Sequence, residues 1–271
     1  MTPEALARLC PDLAGQAITP LGAGSDCSAF AVGLEVIKLP RDAQALAREA
    51  RVLAVVRPFV RLPLPDLRFH AGPPPFSRHR LLPGVQLLAP IYDALGTPDR
   101  ETLARDLARF HADCHAVPHG LLRQAGAGPV APWPAPRPEM LKPVPKDLRP
   151  QAEALLTLWQ ALPPDPLGEV WGHFDAHGWN MAFDPKARRL GGIYDFGDSG
   201  FGPLHRDLAY SALISPDLTR RLGRAYADLT GRAIDLDRLD ILAGAHRLWE
   251  LAASPDPFQV QAFTRWAATK T

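Results

Sequence analysis

Two hydrophobic rhythms divide this chain. Up to residue 84, apolar residues alternate or fall in short runs broken by glycine and proline, and beyond Val85 they return every three or four positions. Thr2 and Pro3 read as the N-cap and first turn of a short helix carrying Leu6, Leu9 and Leu13, which Gly15 ends. Residues 17–21, 28–32 and 35–39 predict three antiparallel strands separated by glycine turns. Residues 41–57 predict a helix with Leu46, Ala50, Leu53 and Val56 on one side, stopped by Pro58. LPLPDLRFHAG and PFSRHRLLPG predict two more strands, the second ending at Pro83-Gly84.

The second rhythm begins with a helix opening at Pro98 behind Thr97, with Leu103, Leu107 and Phe110 as its buried stripe. Residues 117–150 are dense in proline and glycine and predict an ordered, irregular excursion. Residues 151–162 predict a helix stopped by Pro163-Pro164. Ser215-Pro216 caps another, whose face of Leu218, Leu222, Ala225, Tyr226 and Leu229 runs to Gly231. Residues 235–253 and 257–269 predict the last two. The class is α+β. A small antiparallel β lobe with one helix spans 1–82, and a larger, mainly helical lobe spans 83–271.

Composition narrows the partners. The chain has 271 residues with a net charge of +1, and its basic residues never form a dense run, so no nucleic acid is implied. No apolar run approaches the roughly 18 residues of a membrane span. Cys10, Cys27 and Cys114 are too few and too scattered for a disulfide framework or a paired-cysteine metal site, which points to the cytoplasm. A monomer or weak dimer is expected. The 30 prolines are about twice the usual share and cluster in connectors, so they read as stiff loops.

The chemistry concentrates in WGHFDAHGWNMAFDPKARRLGGIYDFGD, residues 171–198. Asp175 is a carboxylate placed for proton work. Asn180 follows closely, and Asp195 comes later in a short apolar strand that ends in glycine. An amide and a carboxylate are the oxygen ligands that hard cations such as Mg²⁺ take. Upstream, Lys38 sits in the apolar run VIKL, and Glu49 lies eleven residues later on a helix. The turn holding Gly22, Gly24, Ser25 and Ser28 lets backbone N–H groups approach an anion. His111 and His115, one turn apart without a third ligand motif, read as structural. His173, Asp175 and His177 also allow an HxDxH metallohydrolase reading, which leaves Lys38, Glu49, Asn180 and Asp195 unexplained.

The order of these parts, a glycine turn, a strand lysine, a helix glutamate, a hinge, HxDxxxxN and DFG, is that of protein-kinase-like folds. GAGSDCSAFAVGLEVIKLP, LAREARVL, LLPG, HFDAHGWN and IYDFGDSGFGPLHRDLAY resemble the aminoglycoside phosphotransferase family of small-molecule kinases. The resemblance implies a two-lobed kinase-like fold, Mg²⁺, and ATP or GTP as co-substrate. It implies Asp175 as the base, Asn180 and Asp195 as metal ligands, and Lys38, fixed by Glu49, on the α- and β-phosphates. The turn from Gly22 to Ser28 would cover the triphosphate, residues 79–82, including Arg80 and Leu81, would offer backbone groups to the base, and His173 and Asp207 would be scaffolding. Asp207-Leu208-Ala209 arrives only twelve residues after Asp195, without an activation segment, which favours a small-molecule acceptor over a protein. Relatives accept aminoglycosides, macrolides, amino sugars and small metabolites, and Asp198 and Glu250 are candidate acids for a cationic acceptor. The excursion and the last helices are where acceptor recognition is expected. The family form is HGD, and Phe174 in its place either narrows the acceptor pocket or fills the core. A catalytically inactive pseudokinase or binding module is the remaining alternative.

Overall fold

A computed structural model describes residues 1–23 and 27–270. Helix α1 (Pro3–Leu9) starts where Thr2 Oγ1 accepts a hydrogen bond from Ala5 N at 3.2 Å. Strands β1 (Ile18–Ala23), β2 (Cys27–Val32), β3 (Glu35–Pro40), β4 (Arg68–His70) and β5 (Phe76–Arg80) form one antiparallel sheet in the order β1-β2-β3-β5-β4. The last strand is shorter than its sequence suggests. Leu81 N still bonds Leu34 O at 2.8 Å, and Pro83 then has no N–H to continue the ladder. One sheet face packs Val32, Ile37 and Phe76 against Leu6, Cys10 and Leu13.

Helix α2 (Ala43–Val56) is capped by Asp42, whose Oδ1 accepts from Gln44 N at 2.8 Å. Its stripe of Leu46, Val52, Leu53 and Val56 does not join the sheet's cluster. It merges with Leu103, Leu107, Phe110, Trp171 and Phe196, so one apolar core runs beneath the β sheet into the helical part. Glu49 lies buried on that same stripe, in reach of both.

The helical part opens with β6 (Val85–Gln86), α3 (Ala89–Asp93) and α4 (Thr97–His115). The proline-rich excursion is ordered: it carries α5 (His119–Gln124), buries Met140 and Val144, and leads into α6 (Arg149–Ala161). Strands β7 (Glu169–Gly172), β8 (Met181–Asp184), β9 (Arg189–Ile193) and β10 (Gly200–Pro203) make two small sheets, β6-β8-β9 and β7-β10. Helices α7 (Leu204–Ala209), α8 (Pro216–Thr230), α9 (Leu236–Ala253) and α10 (Pro257–Ala267) follow. Ser215 caps α8, and Gly231 ends it in the left-handed region at φ 70°. Helix α9 packs Ala243, Leu248 and Leu251 against Leu155, Phe263 and Trp266, a second core behind the site. No helix is long and apolar enough to cross a membrane among the described residues.

Candidate active site

Strand β7 delivers the chain to the site, and Gly172 is its last residue. A side chain there would collide with the Asp207 carboxylate, so glycine is what lets that carboxylate sit under the following loop. Phe174 then adopts φ 57°, a left-handed conformation that costs a non-glycine residue about 1–2 kcal/mol. Two features offset this cost. Its N–H donates to Asp207 Oδ1 at 2.6 Å, and its ring is only 2% exposed, packed on the bare face of Gly202. Phe174 therefore fills the core.

The turn returns through a bond from His177 N to Asp175 O at 2.8 Å. That folds His177 back, and its Nε2 lies 3.1 Å from Asp175 Oδ1. Asn180 Nδ2 donates to Asp175 Oδ2 at 2.7 Å and to Asp175 O at 3.0 Å. Oδ2 thus has a hydrogen-bond donor while Oδ1 faces the imidazole, and the side chain remains 26% exposed. Gly178 passes so close to Leu87 that a Cβ would strike its carbonyl oxygen. His173 has no nitrogen left for a metal. Its Nδ1 accepts from Asp175 N at 3.2 Å, and its Nε2 donates to Tyr194 O at 3.0 Å. The HxDxH reading falls on that geometry.

Asp195 lies two residues beyond β9 rather than inside a strand, at φ 65°. Tyr194 N bonds Asn180 O at 3.0 Å, which sets Asn180 and Asp195 at adjacent ends of paired strands. Lys38 reaches across from β3, with Nζ 2.8 Å from Asp195 Oδ1 and 3.2 Å from Glu49 Oε1. Phe196 N also donates to Glu49 Oε1, at 3.0 Å. Burial alone would discharge Lys38, but the carboxylates of Glu49 and Asp195 outweigh it and raise its pKa above the ordinary lysine value. Burial likewise favours a neutral Asp195, yet the Lys38 ammonium reverses this and lowers its pKa. Burial pushes Glu49 up even beside Lys38. These oxygens fit a hard cation: Asp195 stays charged with its side chain 47% exposed, and Asn180 spends its NH₂ on Asp175, which turns its amide oxygen away from that bond.

The remaining nucleotide-side candidates are dispersed along the sheet. Gly22 lies in β1 beside a register shift, and a side chain there would meet nothing within 4 Å, so the chain's own packing does not demand glycine. Ser28 in β2 stands between Ala23 and Leu39, while Gly24 and Ser25 lie outside the described residues. Arg80 ends β5 opposite Glu35. The Leu81 N–H is committed to Leu34 O, which leaves only its carbonyl to face a base.

The sequence profile described as the phosphotransferase enzyme family matches residues 17–242. The chain belongs to that family. Its fold is that of the family's solved structures. A GDP complex of aminoglycoside 2'-phosphotransferase-IIIa has TM-score 0.76 at 19% identity, covering 98% of this chain and 97% of that one. A macrolide 2'-phosphotransferase from Brachybacterium faecium has TM-score 0.64 at 20% identity, covering 97% and 96%. A type I macrolide 2'-phosphotransferase has TM-score 0.66 at 20% identity, covering 99% and 97%. No curated protein sequence matches the chain significantly.

In this phosphotransferase the loop bearing Asp175 is held from below by Asp207. Its Oδ2 takes His111 Nδ1 at 2.8 Å and His115 Nε2 at 2.9 Å, and His115 Nδ1 meets Tyr226 OH at 2.8 Å. Burial would raise the Asp207 carboxyl, but the two imidazoles reverse this and hold it well below the usual range. His111 and His115 each spend a nitrogen on Asp207, and the ligand atoms of all three lie within 4.8 Å of one another, so the third ligand that their spacing in sequence did not show is present in the fold. Their shared partner lies on α7, ninety-two or more positions away. His177 entered the sequence reading only as one arm of the HxDxH alternative, and the fold sets it against the Asp175 carboxylate. Its spacing from Asp175 was visible, but the tight turn that closes it onto the carboxylate was not.

Beyond Asp175 lies an aromatic wall. The Trp133 ring sits 5.9 Å from Tyr210, 5.3 Å from His246 and 6.2 Å from Trp249, and its Nε1 donates to Tyr210 OH at 3.0 Å. The Arg206 guanidinium stacks 4.8 Å over Trp133. His246 is buried there, and burial, with Arg247 next, pushes its pKa down to about 3. Burial also lowers His79, His115 and His173. Because these pKa values are depressed on folding, only the unfolded chain gains protons as pH first drops below about 6.5. Stability is therefore expected to fall from that point downward. His246 alone should contribute a loss of about 1.4 kcal/mol at about pH 5.5, the other three adding in the same direction. Urea midpoints at about pH 7.5 and 5.5 check this; an equal or higher midpoint at the lower pH refutes it.

Proposed function

We propose that this phosphotransferase transfers the γ-phosphate of ATP or GTP to a hydroxyl of a small molecule, with Mg²⁺ held by Asn180 and Asp195. The observation that supports the reading is one connected constellation. Asp175 is bonded to Asn180, Asn180 is paired to the segment bearing Asp195, and Asp195 is bonded to Lys38, which Glu49 holds. Asp175 accepts the acceptor hydroxyl's proton as that oxygen bonds to phosphorus, and the nucleoside diphosphate departs with the electron pair of the broken P–O bond. Mg²⁺ supplies charge neutralisation on the phosphates.

Lys38 places its ammonium on the α- and β-phosphates. Glu49 keeps it from swinging away, and the buried pair concentrates its charge in the cleft. The open surroundings of Gly22 leave room for phosphate to approach the backbone. In this reading the lobes are 1–82 and 83–271, with nucleotide between them. A cytoplasmic location accords with the few, scattered cysteines Cys10, Cys27 and Cys114.

A nucleotide-consumption screen over aminoglycosides, macrolides and hydroxylated metabolites tests the reading. Acceptor-dependent diphosphate release that requires Mg²⁺ is expected, and failure to bind any nucleotide in the presence of Mg²⁺ would sink it. Asp195→Asn removes the charge of one metal ligand. It should weaken Mg²⁺-dependent nucleotide binding at least about tenfold, ~1.4 kcal/mol. Unchanged affinity by calorimetry counts against the metal assignment.

A further inference from the structure

Next to the catalytic loop opens a cavity of about 240 Å³. Gly178 and Trp179, directly after His177, form one wall, and Phe258 from α10 lies edge-on to Trp179 with ring centroids 5.7 Å apart. His177 in turn packs on Trp179 at 5.2 Å and brings its Nε2 to 3.1 Å from Asp175 Oδ1. The cavity therefore lies one side chain away from the carboxylate.

Its lining is mostly apolar, and its charged residues are Arg247 and Arg265; it contains no acidic residue. Arg247 is more than nine-tenths buried. Its hydrogen bond to Ala212 O is a long one, 3.4 Å from Nη2, for a group with five N–H donors. Burial pushes its pKa down to about 10, which leaves it charged at neutral pH. Arg206 adds a third cation nearby, stacked on Trp133. None of these three arginines forms an ion pair among the described residues. Glu250 is the acid facing Arg247. It is not in the lining, and its oxygens lie 3.4 Å from Gln259 Nε2 and 3.8 Å from His246 Nε2.

A polycationic acceptor needs carboxylates to replace the water around its ammonium groups, and this cavity presents guanidinium groups instead. A buried, under-bonded arginine is the partner of an anion, which it grips through paired N–H donors. We propose that the acceptor is a compact, largely apolar hydroxyl compound carrying an anionic group, a carboxylate or a phosphate, seated in this cavity with the anion on Arg247 and Arg265. The proposal rests on the phosphotransferase reading and adds the charge class of its acceptor.

Three probes of one shape test it: para-hydroxymethyl benzoate, para-methylbenzyl alcohol and para-aminomethyl benzyl alcohol. Each is titrated by calorimetry into the full chain with Mg²⁺ and a non-hydrolysable nucleotide analogue. The carboxylate is expected to bind at least about tenfold tighter than the amine, with the neutral alcohol between them. Arg265→Gln, on an exposed residue that does not put folding at risk, and Arg247→Gln should each reduce that preference at least about threefold. Amine binding that equals or exceeds the carboxylate's, no binding of the carboxylate, or a preference unchanged in both variants overturns the proposal. The nucleotide titration in the same samples separates the two levels. If nucleotide binds and the probes rank otherwise, only the acceptor class is wrong. If no nucleotide binds, the phosphotransferase reading itself fails.

Discussion

Asp175→Asn is expected to lower phosphate transfer by about a thousandfold while changing nucleotide affinity less than about threefold. The substitution is nearly isosteric, so its effect isolates charge and proton affinity. In the protein, His177 Nε2 and Asn180 Nδ2 approach opposite oxygens of the carboxylate. An amide keeps one oxygen for Asn180 Nδ2 and turns its NH₂ toward His177 Nε2, which accepts only in the tautomer protonated on Nδ1. It also cannot take a proton from an incoming hydroxyl. Lys38, Glu49 and Asp195 do not touch the substituted group, and Lys38 remains paired with both carboxylates. Steady-state transfer rates paired with calorimetric nucleotide titration provide the check. Full turnover by the variant would remove Asp175 as the base, and loss of nucleotide binding would show that its charge serves the other half of the site.

The separation of these effects reflects how the site is assembled. Lys38 comes from a strand of the sheet, Glu49 from the helix beside it, and Asp175, Asn180 and Asp195 from loops between small strands on the helical side. Helix α2 buries its stripe in the helical core, so Glu49 is carried on the element that joins the two parts. Asp175 belongs to a different loop from the one that meets Lys38 and Glu49 at Asp195 and Phe196.

Much of this frame was legible in the sequence because it depends on local rules. The five strands of the main sheet follow alternation and glycine turns, and the ends of α8 follow Ser215 and Gly231. The Lys38–Glu49 pair was legible as a strand lysine ahead of a helix glutamate. The contact from Lys38 to Asp195 spans 157 positions and has no local signal. Strands β7, β8 and β10 are four residues long, too short for a period to show. Phe174 left two readings open because its backbone angle depends on a carboxylate thirty-three residues away. Arg247 and Arg265 read as ordinary helix charges until α9 and α10 brought them to one cavity.

Asp207→Asn should be the most damaging substitution outside the cleft, costing about 3–5 kcal/mol of stability. The carboxylate is fully buried and accepts three hydrogen bonds: Phe174 N on Oδ1, and His111 Nδ1 and His115 Nε2 on Oδ2. An amide has one oxygen. If it faces Phe174, its NH₂ meets the two imidazole nitrogens that donate to the carboxylate, and both rings must change tautomer to accept from it. If it faces the imidazoles, its NH₂ meets the Phe174 N–H. The first orientation forces two buried rings into the other tautomer, and the second buries an unpaired donor against another donor, in a protein whose total stability is on the order of 5–15 kcal/mol. The pH dependence gives a second signature. The Asp207 carboxyl is depressed on folding, so its contribution is present above the unfolded value of about 3.9 and is lost as pH falls through the folded value. The variant should therefore show a flatter loss of stability below about pH 4 than the parent. Transfer should suffer beyond what unfolding explains, because the bond to Asp207 holds Phe174 at its positive φ, and the next residue is Asp175. Urea midpoints across that pH range, with transfer rates taken where the variant is still folded, measure both effects. A variant that keeps the parent's midpoint and rate would mean that His173, through its bond to Asp175 N, is enough to hold the loop.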